Sequence, residues 1–205
     1  MLPKTLNLGS GKDWRDEWFN ADIQARTKPD WHVDITHVKF GEVIDTRFGK
    51  VEIKKGMFNQ IVANDVLEHI PDLVTAMTNC KDLLESGGEF HIQVPYDLSL
   101  GAWQDPTHVR AFNENSFLYY TDWHWYLGWE DRFTVKTMEF GISEYGQTIQ
   151  DQETLLRTPR AIDFIRVILT KSYCRISCCN CISRNILYDH RVGSYYRPVS
   201  NRDSR

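Results

Sequence analysis

Thr5-Leu6-Asn7-Leu8-Gly9-Ser10-Gly11 is the stretch on which the fold turns. A short apolar strand runs here straight into two glycines separated by one residue. Glycine lets a backbone approach a ligand closely, because no Cβ intervenes. A dinucleotide fingerprint would need a third glycine at position 14, where the chain has Trp14. It would also place its acidic partner about 20 residues on, whereas Asp22 follows Gly11 by only eleven. A nicotinamide dinucleotide is therefore disfavoured, and a shorter two-glycine loop remains.

Outward from that turn, strand-like and helix-like segments alternate through the first 95 residues, which predicts a parallel sheet. Residues 18–22 and 31–34 read as short strands that each stop at an acidic residue. Residues 58–63 make a fourth strand and 90–94 a fifth, closed by Pro95. Between these, Pro71 opens a helix that carries Leu73, Met77, Cys80, Leu83 and Leu84 at helical spacing and stops at Gly87-Gly88. Residues 132–140 and 142–149 alternate like an antiparallel pair. A basic helix is expected after Arg157, running to about Thr170. The predicted architecture is α/β: a Rossmann-like, mostly parallel sheet with an antiparallel strand pair on the C-terminal side. Residues 1–156 form its domain, and 157–205 a basic, cysteine-rich helix and tail.

The charge balance divides at the same place. Residues 1–156 carry 14 Lys/Arg against 25 Asp/Glu, and residues 157–205 carry 10 against 3. An acidic body argues against broad binding of a phosphate backbone, which needs a basic face. The basic tail suits an acidic protein, a nucleic acid or an anionic membrane surface, or else lies against its own acidic domain. Cys174, Cys178, Cys179 and Cys181 crowd into that tail. Structural zinc sites usually draw on two separated knuckles, and only His190 offers a second. Lipid-modified thiols are a further alternative, but the cysteines are read as reduced and no metal centre is expected. A strand starting near Thr5 leaves no room for a leader, and no apolar run spans a bilayer, so a cytoplasmic protein is expected.

Two aspartates fall in register with the glycine loop. Ligands of a parallel sheet lie across the carboxyl ends of its strands. Asp22, ending the second strand, can accept both hydroxyls of a ribose. Asp34, ending the third, can reach an adenine amino group while Ile35 packs on the ring. Either alone reads as an ordinary strand-end residue.

The segments Leu6-Asn7-Leu8-Gly9-Ser10-Gly11, Trp18-Phe19-Asn20-Ala21-Asp22 and Val66-Leu67-Glu68-His69-Ile70 together resemble one family. It is the class I S-adenosylmethionine (SAM)-dependent methyltransferases with an LNLGSG…W-x-N-x-D start, a VLEHI segment after strand four and a DPTH-x-R-x-F segment after strand five. The last is matched by Asp105-Pro106-Thr107-His108-Val109-Arg110-Ala111-Phe112. The resemblance covers residues 5–117 and implies SAM as cofactor. On it, Gly9, Ser10 and Gly11 line the methionine and ribose, Asp22 binds ribose, Asp34 and Ile35 flank adenine, and Asn64 touches the methionine through its backbone. Glu68 and His69 then stand near the transferred methyl, although Glu68 equally suits charge pairing at a helix start.

His108 is the candidate general base, since an imidazole accepts a hydroxyl proton near neutral pH. Asp105 is its candidate orienter, and a purely structural His108 is the alternative. A base matters most for a hydroxyl nucleophile, which points to O-methylation of a glycan or small molecule. Family members are often associated with glycans. Seven aromatic residues between Phe117 and Trp129 suit sugar faces, a lid or simple core. Nucleic-acid base methylation is disfavoured, because Asn64-Asp65-Val66-Leu67 stands where such enzymes present Asn/Asp-Pro-Pro-aromatic. A non-catalytic module of the same fold, docking a partner through its basic tail, and an aminopropyl transferase are the other readings.

Overall fold

A computed structural model describes residues 2–172 and the backbone of 196–199. Its first strand, β1 (Thr5–Leu8), is flanked by β2 (Phe19–Asp22), whose four residues are all buried, and then by the two-residue β3 (Trp31–His32). A hairpin not anticipated from the sequence, β4 (Val43–Thr46) and β5 (Gly49–Glu52), stands apart as its own two-stranded sheet. The main sheet resumes with β6 (Phe58–Asn64) and β7 (Leu84–Pro95) and continues with β8 (Arg132–Ile142) and β9 (Ile162–Ser172). β10 (Tyr196–Val199) runs along its edge. The spatial order is β10-β8-β9-β7-β6-β1-β2-β3. Within this sheet only β9 runs against its neighbours, and the other pairings are parallel. The mostly parallel α/β sheet with an antiparallel strand toward the C-terminus is the architecture predicted.

Between β6 and β7 lies α1 (Leu73–Leu83), two residues beyond Pro71. Asp72 caps it, accepting a hydrogen bond from the Thr75 N–H at 3.1 Å. Leu73, Ala76, Met77, Cys80 and Leu83 recur every three or four residues and are buried, so one stripe of the helix faces the sheet. Burying side chains of this size stabilises by about 1.5–3 kcal/mol each for the larger ones. The core they join includes Leu6, Phe19, Ile61, Phe90 and Val94. Asn79 on α1 donates to the Ile35 carbonyl at 2.7 Å, tying the helix to the turn after β3.

Two expectations are corrected at the C-terminal side. Residues 157–170 do not form a helix. A short α2 (Gln152–Arg157) ends where that helix was expected to begin, and 162–172 form β9. Ile165, Val167 and Leu169 alternate inward with period two, and β-branched residues prefer the pleated state. β9 also has partners on both edges, pairing with β7 from Glu89↔Thr170 to Pro95↔Phe164 and with β8 from Arg132↔Ser172 to Ile142↔Ile162. The antiparallel partner of β8 is therefore β9 and not residues 142–149, which turn through a single 3-10 turn at Gly146–Thr148. The cysteine cluster and His190 lie outside the described residues. No helix among the described residues is long and apolar enough to cross a membrane.

Candidate active site

The glycine turn closes directly onto Asp22. Gly9 and Gly11 both take left-handed backbone angles, φ 66° and 42°, which suit glycine because it lacks a Cβ. The turn brings the Gly11 N–H to Asp22 Oδ2 at 2.7 Å, while Gln24 N–H donates to Oδ1 at 2.6 Å. Ser10 N–H donates to the Ala21 carbonyl at 3.0 Å. Asp22 is only 6% exposed, and each carboxylate oxygen keeps a further accepting position. The Ser10 hydroxyl is buried with no hydrogen-bond partner among the described residues. β1, β2 and β3 thus end side by side, with Val33 N–H on the Asp22 carbonyl at 3.0 Å.

Asn20, passed over as a site residue in the sequence, is what allows the connection from β1 to β2 to be so short. Its buried amide donates to the carbonyls of Arg15 (2.7 Å) and Trp18 (3.1 Å). Its oxygen accepts from Arg15 N–H and from Asn7 Nδ2. Asp30, buried below, accepts from Asn20 N–H at 2.9 Å and from Arg47 Nε at 2.8 Å. Side-chain hydrogen bonds do here what a helix would otherwise do for that loop. The W-x-N-x-D spacing was the available signal.

Asp34 and Ile35 follow β3 as expected, but both are already engaged. Asp34 caps a 3-10 turn, accepting from Thr36 N–H (2.9 Å) and Thr36 Oγ1 (2.7 Å) and pairing with His37 Nδ1 (3.2 Å). Burial raises its pKa, yet these bonds together hold it below the ordinary carboxylate value. Ile35 is 4% exposed and lies in the hydrophobic core. Asn64 is exposed at the carboxyl end of β6.

A second cluster forms beyond β6, where the two segments singled out in the sequence meet. Val109 N–H donates to the Glu68 carbonyl at 2.9 Å. Arg110 donates from Nη2 to the carbonyls of Ile70 and Pro71 at 2.9 and 2.6 Å. His69 and His108 consequently stack edge to face, with ring centroids 4.6 Å apart. The His108 Nδ1–H donates to the Ala102 carbonyl at 3.0 Å, leaving its Nε2 lone pair free. That atom lies 3.9 Å from Glu68 Oε1 and 4.0 Å from Asp105 Oδ2. The carbonyl of Ala102, and not Asp105, is therefore the group that hydrogen-bonds the His108 ring. Asp105 instead accepts from Thr107 Oγ1 (2.7 Å) and Thr107 N–H (2.8 Å), which hold it below the usual carboxylate range.

Glu68 occupies a 3-10 turn (Leu67–His69), not the start of α1, so helix-terminal charge pairing does not explain it. Its side chain is 2% exposed, and neither oxygen has a hydrogen-bond partner among the described residues. Burial pushes its pKa up to about 7, with the nearby Asp65 carboxylate adding to the effect.

The aromatic run divides in two. Phe117 and Tyr120 are buried, and Trp129 packs between Tyr120 and Phe133. Tyr119, Trp123, Trp125 and Tyr126 form an exposed cluster with neighbouring centroids 5.1–6.0 Å apart.

This strand order, with a glycine turn and a buried acid at the ends of β1 and β2, defines a class I methyltransferase fold. No protein-family model matches the chain, and no curated protein matches it. Among solved structures it is similar to a SAM-dependent methyltransferase from Archaeoglobus fulgidus, at 17% identity and TM-score 0.57, over 83% of this chain and 86% of the other. It is similar also to an S-adenosylmethionine-dependent methyltransferase from Mesorhizobium loti, at 14% identity and TM-score 0.52, over 82% and 91%. A third is the [4+2]-cyclase SpnF, at 12% identity and TM-score 0.53, over 84% and 75%. At such identities the likeness establishes the fold. The cyclase's name shows that the reaction has to be argued from the site.

Proposed function

We propose that the chain is a SAM-dependent methyltransferase that modifies a hydroxyl of a glycan or small molecule. The observation carrying this reading is the contact of the Gly9–Gly11 turn with the buried Asp22 carboxylate. The residues present fit the cofactor on three counts: the left-handed glycine cradle, the unpartnered Ser10 hydroxyl, and a carboxylate with accepting positions for a vicinal diol. Asp22 would bind the ribose, Gly9, Ser10 and Gly11 the ribose and methionine, and Asn64 the methionine through its backbone. Asp34 and Ile35 would mark the adenine end. When bound, SAM supplies a methyl group already activated on a sulfonium.

What is left for the protein is positioning and exclusion of water. The His108 Nε2 lone pair, fixed by the Nδ1 bond to Ala102, is a basic atom presented to an acceptor hydroxyl. The exposed rings of Tyr119, Trp123, Trp125 and Tyr126 suit stacking against sugar faces. An acidic protein or membrane surface for the basic segment that follows β9 remains part of the proposal.

Calorimetric titration of SAM and S-adenosylhomocysteine tests the reading. Micromolar-range binding is expected in the wild type and its loss in Asp22→Ala, with the circular-dichroism spectrum unchanged. A wild-type protein that binds neither compound removes the enzyme reading.

A further inference from the structure

His69 and His108 are locked in matching tautomers. The single Thr107 hydroxyl hydrogen goes to Asp105 Oδ1 at 2.7 Å. His69 Nδ1, 2.9 Å from the same oxygen, must therefore be the donor. In the neutral ring the Nε2 of His69 is then the free nitrogen, as is the Nε2 of a neutral His108, whose Nδ1–H is given to Ala102. The Glu68 carboxyl lies 3.9 Å from His108 Nε2, and no other described residue donates a hydrogen bond to either of its oxygens. One ring nitrogen of each histidine and one Glu68 oxygen all lie within 4.8 Å of one another. Three side chains able to ligate a metal thus converge, one of them a carboxyl almost wholly removed from water. A buried carboxylate without a partner carries a large desolvation penalty, and a cation placed among the three would offset it.

We propose that Glu68, His69 and His108 form a binding site for a divalent first-row transition-metal ion, contrary to the sequence reading, which offers no metal centre. Ligand atoms around such an ion stand about 3–3.5 Å apart, given bonds near 2.0–2.2 Å. Small side-chain rotations close the observed 3.9 Å between His108 Nε2 and Glu68 Oε1 to that range. Two imidazoles and one carboxylate suit Zn²⁺ or Mn²⁺ better than Mg²⁺, which prefers an all-oxygen shell. The Ala102 carbonyl and the Thr107–Asp105 pair supply the outer hydrogen bonds that orient ligating histidines. Three protein ligands leave positions open, and an oxygen-rich acceptor is the chemistry that would occupy them. This deepens the methyltransferase reading and rests on it for the acceptor: an acceptor hydroxyl held by the ion would lose its proton more readily, so that in the metal-loaded protein the ion takes over the role given above to the His108 Nε2 lone pair, which it occupies.

The test is titration of Zn²⁺, Mn²⁺ and Mg²⁺ into chelator-treated full-length protein carrying Cys174→Ser, Cys178→Ser, Cys179→Ser and Cys181→Ser, so that thiols do not compete. One equivalent of Zn²⁺ or Mn²⁺ is expected, with Mg²⁺ at least tenfold weaker. Glu68→Gln, which keeps the side-chain shape, and His69→Ala are each expected to weaken Zn²⁺ binding by about tenfold or more. Absence of stoichiometric binding at about 100 µM ion, or binding indifferent to both variants, overturns the proposal. Cobalt substitution adds a readout independent of activity, since absorption without a sulfur charge-transfer band is expected from nitrogen and oxygen ligands. SAM binding is measured separately on the chelated protein. Its retention without metal binding sinks this site alone, and its loss with metal binding intact sinks the cofactor reading alone.

Discussion

Replacing Gly9 with alanine probes the turn that carries the cofactor reading. A Cβ added there lies 2.4 Å from Val66 Cγ2 and 3.1 Å from Cγ1, on a backbone at φ +66°. A left-handed residue other than glycine costs about 1–2 kcal/mol, and overpacking against a neighbour typically adds about 1–3 kcal/mol. Gly9→Ala is therefore expected to lose about 2–5 kcal/mol from a domain whose whole stability is on the order of 5–15 kcal/mol. With a urea slope of about 1–3 kcal/mol per molar, the unfolding midpoint falls by about 1 M or more. Tryptophan fluorescence in a urea series reads this directly. The two contributions separate in a double-mutant cycle. Val66→Ala clears the clash but not the backbone strain, so the double variant should recover about 1 kcal/mol or more relative to additivity. A Gly9→Ala protein within about 0.5 kcal/mol of wild type, or a cycle with no coupling, would refute the argument that this position needs glycine for both reasons.

Asn20→Ala removes, at a buried position, the donor contacts to Arg15, Trp18 and Asp30 and the bonds accepted from Arg15 and Asn7. A loss of about 3 kcal/mol or more is expected in the same denaturation assay, and a change under about 1 kcal/mol would show that the loop does not depend on it. In chelated protein, the Glu68 carboxyl titrates near 7 when folded against 4.5 when unfolded. Its raised pKa means folding favours the protonated form, so stability relative to Glu68→Gln is full below pH 4.5 and declines as pH rises through 7. The decline is on the order of 2–3 kcal/mol, and parallel pH profiles for the two proteins would contradict it. His108→Ala should cut turnover while sparing SAM affinity; unchanged turnover leaves His108 a structural role. Deleting 173–205 should spare SAM binding, whereas ending the chain at 157 should abolish folding by removing β9; circular dichroism distinguishes the two outcomes.

The sheet was legible in the sequence wherever a strand is a short buried run ended by a chemically distinct residue. Leu6 to Leu8 before Gly9, and Phe19 to Ala21 before Asp22, are of that kind. β9 was not, because Asp163 and Arg166 fall three residues apart and imitate one polar face of a helix. In the strand they are simply exposed positions around inward Ile165 and Val167. The hairpin β4–β5 escaped notice because few of its residues are buried. At the site, the contact of Gly11 with Asp22 followed from strand ends lying side by side. Glu68 could not be resolved between two roles, since the absence of a partner depends on which loop arrives over it. Asp105 was three residues from His108 and so a natural orienter, yet Thr107 takes its hydrogen-bonding capacity first.

The position of β9 bears on how the polypeptide reaches its folded state. Residues 162–172 fill a slot between β7 and β8, so the sheet's middle is completed by a strand synthesised after both of its neighbours. Until those residues are available, β7 presents an open edge of apolar, hydrogen-bonding backbone, and β8 has no place to dock. Such late, long-range closure slows folding and leaves a nascent chain exposed to intermolecular pairing. A stall or cleavage ahead of residue 162 would thus release an aggregation-prone fragment, not a smaller folded domain.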